Sequence, residues 1–303
     1  GFFFWVKIDV NMPSMSWLPF ALFSAIISGG RKTYEKKLTG HFSNFGMGFI
    51  MQTFCLLPTL ALFLFMPLPE DIWRLPWQFW WPLLIIWFVL YPIQTYFLYK
   101  AIREGEIVQV SPIKAILPVF NIGTSFILLK EAPSLVGLLG ILVIVYATYL
   151  LLSENISGDS GKKYNKSVIY MIIAMFCIAI GSTLDKVSLT VSTPVFYSFV
   201  NTLGASIIFL ILIFIYRKKE ELGKIKPRFW TLTLFGIFMA LSYISTMIAF
   251  SKGPTSYVLA VQAAGFLFAV FSGAIFLKEK LSGRKILSLF LFTLGIILIT
   301  VIK

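Results

Sequence analysis

The sequence predicts an all-α integral membrane protein, ten transmembrane helices in two inverted five-helix repeats. Three observations carry that reading. The composition is too apolar and too poor in charge for a soluble chain. Apolar runs of membrane-spanning length recur from end to end. A block of sequence returns, in altered form, 148 residues after its first appearance.

Of 303 residues, 58% are hydrophobic and 13% charged, and the mean hydropathy is +0.87. A soluble chain carries about 45–50% apolar and about 25% charged residues, so half the expected charge is missing. The net charge of +13 does not indicate nucleic acid, because Lys and Arg are scattered through short loops between apolar runs and do not form one basic face. Cys55 and Cys177 both lie inside apolar runs and read as small hydrophobes, not a disulfide framework. His41 sits in a short loop, and no group of His, Cys and carboxylates has metal-ligand spacing. The opening Gly1–Trp5 is too short to span, and no cleavage-site pattern follows it, so no cleavable signal is expected; Met12 and Met15 are alternative starts.

One helix crosses the ~30 Å hydrocarbon layer with about 20 residues. On that length the helices fall at 15–37, 44–66, 77–100, 107–129, 134–152, 166–186, 194–216, 228–251, 254–277 and 284–302. The polar stretch from Ser153 to Lys166, SENISGDSGKKYNK, divides them five and five. The expected units are therefore 1–152 and 166–303, joined by a linker at 153–165. Ala101–Glu131 aligns with Ala249–Glu279 without a gap. The informative matches are Gly105 with Gly253, and Leu129-Lys130-Glu131 with Leu277-Lys278-Glu279. A weaker match pairs Thr33-Tyr-Glu-Lys36 with Thr183-Leu-Asp-Lys186. Five is odd, so the second copy enters the membrane upside down, an arrangement found chiefly in transporters with a midplane site between the repeats.

This pattern (Ala-x-x-x-Gly, an apolar helix, Leu-Lys-Glu and a closing helix, twice over) resembles the EamA-type branch of the drug/metabolite transporter superfamily. The likeness runs from Trp17 to Lys303. It implies ten helices, with helices 1, 3, 4, 6, 8 and 9 around a central cavity. Many relatives place Gln and then Gly after the conserved Glu; here Ala-Pro-Ser-Leu-Val-Gly137 and Lys-Leu-Ser-Gly-Arg-Lys285 follow instead.

Charge sets the expected orientation. Nineteen of the 26 Lys and Arg residues fall in the loops after helices 1, 3, 5, 7 and 9, against six on the other side. Basic loops stay cytoplasmic, so both termini are expected outside, in a multi-pass protein of the cell membrane. The aromatic stretch from Trp73 to Trp81 suits an outer interfacial belt. Relatives are usually drawn the other way round; the threefold bias is given more weight here.

Lys114 is the leading candidate for the site. A Lys near a helix centre costs about 2.5–3.5 kcal/mol on insertion scales, so it either faces a wet cavity or snorkels to the interface. Ser111, Asn121 and Ser125 share its stripe, which favours the cavity. Pro112 and Pro118 flank it and are expected to kink the helix, freeing carbonyls that only a cavity lining tolerates. Gln262 is its repeat equivalent. Tyr91, Gln94 and Tyr99 share a face of helix 3, Tyr243 and Thr246 one of helix 8, and Ser24, Ser28 and Arg31 one of helix 1. The expected substrate-binding set is Lys114, Gln262, Gln94, Tyr91, Ser111, Asn121, Tyr243 and Ser28. Tyr99 reads as interfacial. Arg31, Glu35, Asp185 and Lys186 end two short apolar segments in equivalent positions and read as gate or interface ion pairs. No helix centre carries a carboxylate. The proton exchange that small multidrug exporters of the superfamily run through a Glu therefore has no residue here, and transport is expected not to depend on an intramembrane carboxylate.

A secondary transporter working by alternating access is expected, exporting small polar metabolites, amino acids or related organic acids. No cofactor is expected; the partners are a small-molecule substrate and the lipid bilayer, with the chain acting as a monomer. A channel or scaffold is the alternative. An intramembrane enzyme lacks the His or paired Asp at depth that its chemistry needs.

Overall fold

The computed structural model describes residues 15–65, 74–105, 112–152, 166–263, 265 and 283–300, without the side chains at 15, 32–34, 36, 37 and 112. Ser111, the linker 153–165, Lys278 and Glu279 lie outside the described residues, as does most of the apolar run expected at 254–277. Among the described residues every regular element is helical.

A 3-10 turn, Met15–Trp17, leads into α1 (Leu18–Thr39), which starts at Pro19 where a missing N–H leaves nothing unpaired. After a turn through Gly40 and His41, Ser43 caps α2 (Asn44–Phe65), its Oγ accepting from the Gly46 N–H at 3.2 Å. The next helix, α3 (Trp77–Glu104), is continuous but carries a π-helical turn at Ile86–Leu90. Pro92 accounts for that turn. Its ring clashes with a regular carbonyl four residues back, and a widened turn moves that carbonyl aside.

Pro112 opens a 3-10 turn (Pro112–Ile116), and Pro118 sits in the first turn of α4 (Leu117–Leu129), where the winding changes from 3-10 to α. Proline is well tolerated at such positions. Lys130 ends α4 in the left-handed region, φ 57°, and returns its N–H to Ser125 O. The chain then reverses through Glu131 into α5 (Leu135–Leu152).

In the second half, α6 (Lys166–Leu189) and α7 (Pro194–Ile215) are joined by a short turn. A one-turn helix, Glu220–Gly223, precedes α8 (Phe229–Lys252). The described part of α9 is Thr255–Gln262, and α10 is Gly283–Thr300. Buried Glu221 ties the α7–α8 loop to the first half: it accepts from Ser43 N at 2.8 Å and Ser43 Oγ at 2.9 Å, at the positive end of α2.

Among the described residues six helices are long and apolar enough to cross a membrane: α2, α3, α6, α7, α10, and α8 taken from Lys226. Shorter apolar helices cover Leu18–Arg31, Ile113–Leu129 and Leu135–Leu151. Large apolar side chains point outward along the spans, among them Phe88, Phe126, Ile127, Phe214 and Phe290. A water-soluble monomer does not expose apolar surface on that scale. Polar side chains are also buried inside, among them Ser24, Asn121, Ser125, Thr183, Asn201 and Thr255. The protein is a multi-pass helical membrane protein.

Packing pairs α5 with α10 and α2 with α7, while α1, α3, α4, α6, α8 and α9 adjoin one another. The α5–α10 crossing depends on Gly140 and Gly295. A Cβ on either would stand 2.9 Å from the other's carbonyl oxygen, a close approach that only small residues allow. Gly140→Val is expected to destabilise the protein by about 1–3 kcal/mol through overpacking, read as a lower melting temperature in detergent. An unchanged melting temperature would mean that the two helices separate without cost.

Candidate functional site

The polar interior centres on Asn201, in the middle of α7. Its Nδ2 donates to Tyr91 OH at 2.9 Å and to Tyr243 OH at 2.5 Å. Its Oδ1 accepts from Trp87 Nε1 at 2.8 Å. Three helices, α3, α7 and α8, are thereby tied at one amide. The π turn is what makes this possible: Trp87 lies inside it and Tyr91 directly follows, so one local distortion aims two side chains of α3 at the same residue. Such turns recur at functional sites. Tyr197, one turn before Asn201, donates its hydroxyl proton to Asp185 Oδ1 at 2.5 Å and extends the network to α6.

Lys186 turns away from Asp185. Its Nζ pairs with Glu131 Oε1 at 2.5 Å and donates to Gly253 O at 2.8 Å. Both side chains of the pair are nearly buried, at 10% and 12% exposure. This contact ties the end of α6 to the turns after α4 and α8, so it crosses between the two halves of the chain. The reversal at Lys130 is what brings Glu131 to it.

A second charged group gathers at the opposite ends of these helices. Tyr99 is buried and donates to Glu35 Oε1 at 3.3 Å; its hydroxyl also contacts Met51 Sδ. The interfacial reading of Tyr99 is therefore corrected. Its ring packs against Met47, Ile50 and Phe235 in a core cluster, which a Tyr face on a tightly packed helix favours over the lipid boundary. Arg31 lies 5.9 Å from the Phe235 ring centroid, and its buried Nε has no hydrogen-bond partner. Lys114, partly buried in the 3-10 turn, lies within electrostatic reach of both Glu35 and Arg31.

Gln262 donates to Ser24 Oγ at 3.0 Å and Thr246 Oγ1 at 2.5 Å, and Ser24 also meets Ser242 at 3.0 Å. This knot joins α1, α8 and α9. Asn121 is wholly buried and spends its amide on Ala179 O, Ser182 and Thr183 of α6. Ser125 continues the seam to Thr255 at 2.7 Å. Ser28 bonds back to Ala25 O, and Gln94 is half-buried on α3.

The sequence-derived residues thus fall into separate groups. Tyr91, Tyr243 and Asp185 share one network, Arg31, Glu35 and Lys114 another, and Gln262 a third; Asn121 joins helices. Asn201, Tyr197, Trp87 and Glu131 were not among them. The signal for Asn201 was present: a lone amide in an apolar helix must find partners inside the protein. Nothing in the sequence paired Tyr197 with Asp185. Among the described residues no group of three or more His, Cys, Asp or Glu could hold a metal ion.

Comparison with known proteins agrees with this architecture. A crystal structure superposes with a TM-score of 0.72 over 94% of this chain and 97% of its own, at 14% identity, which shows a shared fold. An uncharacterized transporter of Archaeoglobus fulgidus is 27% identical over 203 residues, 66% of this chain and 69% of its own. The model of the EamA-like transporter family matches twice, at 15–153 and at 165–301. With both halves matched, the chain belongs to the EamA-like transporter family.

Proposed function

We propose that this transporter exports small anionic or zwitterionic metabolites, amino acids and related organic acids, by alternating access. The reading assumes ten spans in two inverted repeats, 1–152 and 166–303, rocking about the 153–165 linker in the cell membrane, with both termini outside. The observation that carries it is a charge imbalance. Among the described side chains, Arg31 and Lys114 share their surroundings with one carboxylate, Glu35. Two cations against one anion leave about one positive charge away from bulk water, and a carboxylate or phosphate on a substrate neutralises it. Arg31 Nε, buried and unpaired, offers a ready donor for that anion. Tyr91 and Tyr243 each accept from Asn201 and keep a hydroxyl proton to give. With Gln94, Ser28 and Gln262 they supply polar contacts for the rest of a small metabolite. Glu131–Lys186 then acts as a gate on the opposite side.

Counterflow in liposomes tests this, with an equimolar mixture of the twenty amino acids as probe, one labelled at a time. Saturable exchange is expected; a channel shows none. Lys114→Met keeps the stem and removes the charge, so exchange should fall at least tenfold, about 1.4 kcal/mol. Full activity of Lys114→Met on every exchanged compound would leave the charge argument without support.

A further inference from the structure

We propose that Asp185 is a proton-binding site that couples transport to a proton gradient. Sequence placed this residue in an ion pair at a gate. Instead it is 8% exposed and, among the described residues, forms no ion pair. Its neighbour Lys186 is committed to Glu131 and the Gly253 carbonyl. What Asp185 has is a phenol, Tyr197, donating to one oxygen and leaving the other free to take a proton.

The surroundings fit a carboxyl that exchanges one proton. Tyr197 of α7, Tyr91 of α3 and Tyr243 of α8 lie within its electrostatic reach. Tyr257 of α9 is occupied by Ser134 N. Lys114 and Lys100 meet α6 near its other end, the 3-10 turn packing beside Met171 and Met175 and Lys100 over the Tyr170 ring. From α4, the seam to α6 is made by the uncharged Asn121, Thr124 and Ser125. Among the described residues no cation therefore compensates Asp185.

An ionised carboxylate buried in that way costs several kcal/mol. Two events remove the cost: water reaching the group, or a proton binding to it. In the open state a proton from bulk water forms an O–H bond at the free carboxylate oxygen. The neutral carboxyl keeps the Tyr197 bond while the protein closes. Opening to the other side returns the proton to water there. The network passes this state on, because Tyr197 lies one turn from Asn201 and so beside Tyr91 and Tyr243. One proton moves per cycle, and no other co-reactant is needed.

The inference rests on the transport reading only for its second test. The first uses the proton alone: infrared difference spectra of the full chain in liposomes after a pH step, without substrate. A protonated-carboxyl stretch is expected on acidification, absent from Asp185→Asn and shifted in midpoint in Tyr197→Phe. The second uses the amino-acid mixture. A pH gradient should drive accumulation in the wild type and none in Asp185→Asn, while exchange at equal pH continues. Asp185→Glu should restore coupling. If the wild type exchanges no amino acid, the substrate class fails and the infrared result stands by itself. The same carboxyl band in Asp185→Asn, or gradient-driven accumulation by it, overturns the proposal. Should Asp185→Asn not fold, an unshifted midpoint in Tyr197→Phe overturns it equally.

Discussion

Glu131→Gln should destabilise the protein by about 3–5 kcal/mol, the usual cost of leaving one member of a buried ion pair alone. Lys186 has Glu131 as its anion and the Gly253 carbonyl as its second acceptor. A neutral amide at 131 leaves the ammonium with dipoles only, at a site almost closed to water. Lys186→Met should cost a similar amount for the mirror reason, since Glu131 already has one buried oxygen with no partner. The double variant Glu131→Gln/Lys186→Met should recover most of the loss, because a neutral pair leaves no buried charge uncompensated. Melting temperatures of the four proteins in one detergent give the coupling energy. Additive losses in the double variant would mean that the two side chains do not interact in the membrane.

That pair shows what sequence could and could not reveal. Both members stood out separately, Lys186 beside Asp185 at the end of a short apolar segment and Glu131 in the repeated Leu-Lys-Glu. Their meeting depends on a left-handed residue at Lys130, which a sequence ordinarily flags with Gly or Asn. With Lys there, the reversal was invisible. The helices themselves were legible because period and length are local properties. The expected 44–66, 134–152 and 194–216 agree closely with Asn44–Phe65, Leu135–Leu152 and Pro194–Ile215.

Proline was the weaker guide. Pro112 and Pro118 were read as kinking a helix; each stands in the opening turn of its element, while Pro92, inside α3, goes with a π turn. Burial was similarly hard to read. Counting residues to the end of an apolar run put Asp185 and Tyr99 at a boundary, yet neighbouring helices bury both. In a bundle, distance from water is set by packing as much as by position along one helix.

Asn201 gives the second large effect, and it is the residue sequence reasoning passed over. Asn201→Leu keeps the branched shape and heavy-atom count and removes every side-chain bond of the hub. Tyr91 and Tyr243 lose their donor, and Trp87 Nε1 keeps only the Asn201 backbone oxygen, at 3.2 Å. Each buried group left unpaired costs about 1–3 kcal/mol. With two phenols affected, a loss of about 2–4 kcal/mol is expected. Tyr91→Phe and Tyr243→Phe should cost less singly, because Asn201 then still has one phenol and the indole. Combining either with Asn201→Leu should add little, since the bond it removes is already gone. That non-additivity, at least about 0.5 kcal/mol, marks groups in one network. Asn201→Asp, measured at a pH low enough to keep the carboxyl neutral, separates donor from acceptor: the carboxyl still accepts from Trp87, gives its proton to one phenol and accepts from the other. Its loss should be smaller than that of Asn201→Leu, with the Trp87 environment retained in near-ultraviolet circular dichroism. Equal losses for Leu and Asp, or strict additivity with Tyr243→Phe, would show that the amide serves packing alone.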